Sequence, residues 1–299
     1  MASSEIQFFN RYTGEIETEQ IYGEKWLRWA YENPAGQLTL SLAVKRIWFS
    51  RWYGWRMSRP SSSCRVAPFI KEFELDSAEF DPADTFSSFN DFFYRKLKPE
   101  ARPIDAAENA IVFPADGRHL GFPDLSASDG FFVKGQKLDL ATLLGSSKLA
   151  ERYQKGSAVL SRLCPVDYHR FHFCVSGIPG DSRVLNGPLY SVSPIALRRN
   201  LDYLAQNKRV LTEHQSEDVG KVLILEIGAT NVGSIKQSFQ AQQLQAKGDE
   251  KGWFEFGGSA VMTLFEPGRV RLASDLIEHS AQQRETYAKM GDRMAEVIQ

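Results

Sequence analysis

Cys164-Pro165-Val166-Asp167-Tyr168-His169-Arg170-Phe171-His172 carries two of the five histidines in this chain, three positions apart. Histidine is the side chain best suited to moving protons near neutral pH. Phe113-Pro114-Ala115-Asp116-Gly117 sets a carboxylate on a tight turn after a short apolar run. In the segment Lys247 to Glu266 (KGDEKGWFEFGGSAVMTLFE), two strand-like runs, Trp253–Phe256 and Ala260–Phe265, meet at Gly257-Gly258-Ser259. Glycine carries no Cβ penalty, so the peptide ahead of Ser259 can adopt geometries that other residues resist. A strained serine junction is where a chain can attack its own carbonyl. An Asp, a His and a Ser far apart in sequence are also the parts of a nucleophilic triad.

Each of these features has a plainer reading. Gly-Gly-Ser also serves as an ordinary turn, and a buried histidine can simply be packed and hydrogen-bonded. Cys164, His169, His172 and Cys174 are four potential zinc ligands within residues 164–174. They contain no Cys-x-x-Cys pair, and strand alternation sends some of them apart, so no metal is expected. From Arg170 to Ser176 the chain alternates: Phe171, Phe173 and Val175 face one way, and His172, Cys174 and Ser176 the other. That pattern predicts a firmly held strand position for His172. His169, nearer the Pro165 turn, is expected off that face and more mobile.

The elements that must position these groups can be read coarsely. Helices are predicted over Glu17–Tyr31 and Leu38–Tyr53, broken at Asn33-Pro34-Ala35-Gly36, and over Phe89–Leu97 with Ser88 as N-cap. From Ala110 onward short strands alternate with turn residues: Ile111–Phe113, Ala158–Leu163, Arg170–Val175, Leu189–Val192, Val222–Ile227, Trp253–Phe256 and Ala260–Phe265. Further helices are expected over Ala196–Gln206 and Leu276–Arg284. The fold class is α+β, with a helical N-terminal region (residues 1–105) followed by a mainly antiparallel β core (residues 106–299). Gly228 and Gly233 bracket the turn after Val222–Ile227, where they can be pure scaffold.

With 299 residues, 42% hydrophobic and 24% charged, the chain can bury a large core in one or two domains. A net charge of −1 gives no sign of nucleic-acid binding. Cys64, Cys164 and Cys174 form no disulfide framework and suit a reducing compartment. Met1–Glu17 has no apolar core of a signal peptide, and no apolar run approaches the ~20 residues that span a bilayer.

Charge is distributed more tellingly than it sums. Asn33 to Lys71 contains no Asp or Glu but seven cations, among them Lys45, Arg46 and Arg51. Trp48, Phe49, Trp52, Tyr53 and Trp55 are interleaved with them. Basic residues with interfacial aromatics suit a helix lying on an anionic membrane, while the same aromatics could pack the helix onto the domain. Both can hold at once.

PADG (114–117), DYHRFH (167–172), NGPLYSV (186–192), IGATNVGSI (227–235) and KGDEKGWFEFGGS occur in an order that resembles the phosphatidylserine decarboxylases. Ser88–Ile104, SFNDFFYRKLKPEARPI, resembles the segment preceding their PADG, and the likeness runs from about Ile6 nearly to the C-terminus. Ala260 departs from it, standing where the family usually has Thr, as does Thr230-Asn231 in a stretch that is often more apolar.

The resemblance implies a self-processing proenzyme. Ser259 Oγ attacks the Gly258 carbonyl, and the resulting ester eliminates to a dehydroalanine. Hydrolysis then leaves a pyruvoyl group and releases ammonia. His172 is implied as the general base and Asp116 as its orienter; cleavage between Gly258 and Ser259 leaves Met1–Gly258 and Ser259–Gln299, which are expected to stay associated. In turnover the pyruvoyl carbonyl forms a Schiff base with the serine headgroup of phosphatidylserine, and His169 is implied as proton donor to the carbon that loses CO2. Gly233 and Ser234 become candidates for substrate contact. Trp48, Trp52, Trp55, Lys45, Arg46 and Arg51 become candidates for an anionic membrane surface, which makes the chain a peripheral protein on the cytoplasmic face of the cell membrane. A homodimer fits as well. Two alternatives remain: a relative that decarboxylates a soluble amino acid, and a serine hydrolase using Asp116, His172 and Ser259. The second lacks the Gly-x-Ser-x-Gly elbow of α/β-hydrolases.

Overall fold

A computed structural model describes residues 5–21, 23–33, 35–36, 47–127, 135–229, 234–257 and 259–298, with the backbone alone for 47–51. The chain opens with a hairpin, β1 (Gln7–Asn10) and β2 (Glu15–Thr18). Helices α1 (Glu24–Glu32), α2 (Ile47–Met57), α3 (Val66–Glu72) and α4 (Phe89–Phe93) follow. The cap predicted for α4 is present: Ser88 accepts from the Asp91 main-chain N–H at 3.1 Å. Met57, Phe69, Phe89, Phe92 and Phe93 gather into an aromatic core of this helical layer, and Phe256 reaches into it from the distant glycine-serine junction.

Next come β3 (Ala110–Val112), β4 (Gly117–Phe122), α5 (Leu140–Leu144), α6 (Ser147–Tyr153), β5 (Ser157–Leu163) and β6 (Arg170–His172). They lead to β7 (Ile178–Pro179), β8 (Arg183–Leu185), α7 (Pro194–Leu197), α8 (Asp202–Gln206), β9 (Arg209–Ser216) and β10 (Gly220–Gly228). The chain closes with β11 (Ile235–Gln237), β12 (Glu250–Phe254), β13 (Ser259–Phe265), β14 (Val270–Leu272), α9 (Ser274–Ala281), β15 (Glu285–Ala288) and β16 (Arg293–Val297).

A ten-stranded sheet orders β2-β1-β15-β4-β5-β13-β10-β9-β7, with β8 also on β9. Its pairs are antiparallel except β1 with β15. Two three-stranded sheets, β11-β12-β6 and β14-β16-β3, stack against it. The central strands are buried on both faces, so they read as continuous apolar runs, and the pleat sorts their side chains. From β13, Val261 and Phe265 enter one core with Phe171 and Phe254 of the small sheet. Ala260, Met262 and Leu264 enter the other, with Leu143, Leu144 and Leu204 of the helices. Parity puts Ser259 on the Val261 side, toward the sheet that contains β6.

The structure agrees with the α+β reading and corrects several boundaries. The helix expected over Glu17–Tyr31 is shorter: Glu17 and Thr18 belong to strand Glu15–Thr18, so the helical N-terminal region begins with a hairpin that joins the main sheet through β15. Leu189–Val192 is not a strand. Asn207 pairs with the Tyr190 main chain through both ends of its amide, and Tyr31 hydroxyl accepts from Ser191 N–H, so side chains do the work of a ladder. The helix expected over Ala196–Gln206 breaks into α7 and α8. Much of the Leu38–Tyr53 prediction lies outside the described residues, while Ile47–Met57 is helical.

Candidate active site

Asp167 builds the loop that carries the first histidine. Its carboxylate accepts from Cys164 N–H at 2.7 Å and from Arg118 of β4 at 2.7 and 2.8 Å. Burial raises the Asp167 pKa while Arg118 opposes it. The loop then turns the Cys164 carbonyl onto His169 Nε2 at 2.8 Å. A carbonyl can only accept, so Nε2 holds the proton and Nδ1 is bare. Nδ1 lies 3.4 Å from Ser259 Oγ. The ring is fully buried and stacks on Phe93 with centroids 3.8 Å apart. Burial pushes its pKa down to about 3, against the pull of the Cys164 carbonyl. His169 is therefore a neutral, rigid acceptor aimed at the serine hydroxyl, not the mobile group expected.

His172 sits at the end of β6, where its main-chain N–H donates to Pro114 O at 2.7 Å. This contact brings the PADG turn beside the histidine strand. The expected alternation stops there, because Phe173, Cys174 and Val175 are all buried. His172 Nδ1–H donates to the Gly248 carbonyl at 2.9 Å, so Nε2 is the bare nitrogen and faces the Tyr168 hydroxyl at 3.3 Å. Burial lowers its pKa too.

Asp116 does not meet His172. Arg102 Nε lies 2.9 Å from both of its oxygens and Nη2 lies 2.6 Å from Oδ2, while Met290 N–H donates to Oδ1 at 2.9 Å. Among the described residues the hydrogen bonds thus join Ser259 to His169, and join neither Asp116 to His172 nor His172 to Ser259. Gly117 allows the turn: its φ is +159°, and a Cβ there would lie 2.4 Å from Arg162 O.

The junction itself is built for close approach. Gly257 has a φ of +141°, a conformation that L side chains rarely adopt. Ser259 is fully buried and pairs with Leu163 and Gly228 on its two sides. A cavity of about 360 Å³ reaches Gly257; Leu163, Cys164, Val166 and Phe256 line it, and half-exposed Trp26 stands at its rim. Gly258 and Gly233 lie outside the described residues, as do Lys45 and Arg46 and the side chains of Trp48 and Arg51. Ser234 is half-buried, and its carbonyl accepts from Glu255 N–H at 3.2 Å. Trp52 and Trp55 are exposed, with Arg56 and Arg59 over their rings. Among the described residues no cluster of three or more His, Cys, Asp or Glu could hold a metal ion.

Four contributors went unassigned in the sequence. Asn90, Phe93 and Arg102 lie in SFNDFFYRKLKPEARPI, and Asp167 lies inside DYHRFH. Only Asp167 had a local signal, a carboxylate two residues from a histidine; the others act through contacts 14 to 166 positions away.

A family model described as phosphatidylserine decarboxylase matches residues 89–296. A Fusobacterium nucleatum protein named phosphatidylserine decarboxylase proenzyme is 42% identical over 294 residues, covering 98% of each chain. Proteins of the same name from Chlamydia muridarum and Desulfitobacterium hafniense are 45% and 40% identical, over 98% and 97% of both chains.

Proposed function

The chain belongs to the phosphatidylserine decarboxylase family, and we propose that it is a proenzyme that cuts itself after Gly258 and works through a pyruvoyl group made from Ser259. It is a carboxy-lyase that converts phosphatidylserine to phosphatidylethanolamine and CO2. The observation that most supports self-processing is a fully buried Ser259 hydroxyl on a central strand, two residues after Gly257 at φ +141°. A weak hydroxyl nucleophile becomes useful once a base comes within hydrogen-bond reach.

The residues present fit the group. Residue 259 is sealed from water on a central strand, and the apolar cavity reaches Gly257, two residues ahead of it. The pyruvoyl carbonyl supplies an electron-accepting centre for the pair left by the departing carboxylate. Around it, the chain excludes water and keeps one imidazole in contact with the side chain of residue 259. A substrate carboxylate brought near that ring raises its proton affinity, which suits His169 to return a proton to the product carbon. The resemblance assigns the processing base to His172, whose Nε2 must leave Tyr168 to serve Ser259. Asp116 acts, on this reading, through the PADG turn that Arg102 anchors.

The lipid substrate is favoured over a soluble amino acid by the apolar cavity and by its neighbour α2, whose Tyr53 lines it while Trp52 and Trp55 face outward. No helix among the described residues is long and apolar enough to cross a membrane. Binding at the cytoplasmic face of an anionic membrane through α2 is the reading these features support.

Intact mass under denaturing conditions tests the proposal. The wild-type chain is expected as two species dividing after Gly258, the smaller being residues 259–299 (41 in all) with a pyruvoyl start. Ser259→Ala is expected to stay whole at 33.8 kDa. Cleavage of that variant at Gly258 would sink the proposal.

A further inference from the structure

Building on the self-processing reading above, we infer that Asn90 is a positioning residue for the cleavage step, fixing the peptide that leads into the scissile bond. Between β12, which ends at Phe254, and β13, which begins at Ser259, the chain crosses from a small sheet to the large one. Phe256 is buried in that crossing, so its main-chain N–H needs a partner that a ladder does not supply. Asn90 Oδ1 accepts from it at 2.8 Å. The amide is itself buried and anchored at its other end: Nδ2 donates to Ser58 Oγ at 3.0 Å, and Ser58 Oγ donates to the Gly54 carbonyl in α2 at 2.9 Å. Phe93, one turn along α4, stacks on His169. One face of a single short helix therefore touches both the peptide entering the junction and the ring that faces Ser259 Oγ.

Attack by a hydroxyl on the neighbouring carbonyl needs the reacting atoms near 3–3.5 Å and aligned, and a misplacement of about 1 Å costs on the order of 100-fold. Phe256 is two residues from Gly258, so freeing its N–H loosens the carbonyl that must be attacked. After cleavage the 256–258 segment is the end of the long chain and no longer carries the reacting residue. The effect should therefore fall more heavily on processing than on turnover.

The test follows cleavage of the full chain in a cell-free translation time course and, separately, decarboxylation per pyruvoyl group in the matured fraction. Asn90→Leu keeps the bulk and removes the acceptor; its cleavage is expected to slow roughly 10- to 100-fold, a larger loss than that in turnover per pyruvoyl group. Asn90→Asp retains an oxygen for Phe256 N–H and is expected to recover most of the rate. Should Asn90→Leu not accumulate, Asn90→Ser, too short to reach, reads the same effect. Wild-type cleavage by Asn90→Leu (or Asn90→Ser) overturns the inference. So does an Asn90→Asp variant as slow as Asn90→Leu, or an equal loss of processing and turnover. If the wild-type chain itself does not divide at Gly258, the processing reading has failed instead.

Discussion

His169 and His172 are locked in opposite tautomers by backbone carbonyls, Cys164 on Nε2 of the first and Gly248 on Nδ1 of the second. Each consequently presents one bare nitrogen, Nδ1 in His169 and Nε2 in His172, and burial keeps both rings neutral. Two fixed acceptors three residues apart suit the proposed pair of proton transfers, first on the chain itself and then on substrate. Contact with residue 259 belongs to His169, which matches a role that persists after Ser259 has been transformed. His172→Ala is expected to block cleavage, and His169→Ala to permit cleavage while lowering decarboxylation, each by roughly 10²- to 10⁴-fold. Mass spectrometry of each variant, with CO2 release from any cleaved fraction, checks both halves. The opposite pattern moves the processing base to His169, the ring already 3.4 Å from the nucleophile.

Helix α2 has one face in the core and one face exposed. Tyr53 lies against Phe256 and Met57 is buried in the aromatic core, whereas Trp52 and Trp55 are 47% and 56% exposed. Guanidinium groups of Arg56 and Arg59 cover the outward rings and keep them accessible to a charged surface. Replacing Trp52 and Trp55 with Ala is expected to weaken binding to anionic vesicles by about 1 kcal/mol each, roughly 30-fold together. Sedimentation with vesicles measures this, and unchanged binding would mean that these rings do not meet lipid. Sequence alone exposed this segment because its signal is compositional, and it exposed β10, β13 and the Ser88 cap because their signals are local. It did not expose β1 and β2, four residues each, which form a hairpin whose β1 pairs with β15 across nearly the whole chain. The site divides likewise. Which motifs carry the chemistry was legible, but that Arg102 claims Asp116 and Asn90 claims Phe256 depends on contacts no spacing encodes.

For the whole molecule, the position of the cut decides what the cut can do. Residues 259–299 supply β13, between β5 and β10, and β15, between β4 and β1. Arg162 joins Glu285 to Glu19 with contacts of 2.6 Å, and Arg11 binds Asp275. Removing the short fragment would open both cores, so the two fragments are expected to co-elute in gel filtration and to part only in denaturant; separation in plain buffer would contradict this. Acid should loosen the same body. Burial brings His119 and His169 down to about 3 and His214 to about 4, from an ordinary value near 6.5. Because the folded pKa values are depressed, the unfolded chain binds more protons between about pH 6.5 and 3 or 4. The stability these neutral rings contribute is complete above pH 6.5 and is lost as the pH falls through that window. Each ring contributes a slope of about 1.4 kcal/mol per pH unit. Glu19 acts in a lower window: burial opposes its ionisation, but Arg162 and Arg118 bring it to about 2, so its contribution fades only below about pH 4.5. Denaturant unfolding of the uncleaved Ser259→Ala chain, which avoids a two-fragment equilibrium, should show a plateau from pH 8 to 7. Stability should then fall steeply from pH 6 to 4. A flat profile over pH 7 to 5 would mean that these rings take up protons as readily in the fold as in the unfolded chain, and that His169 beside Ser259 is not held neutral.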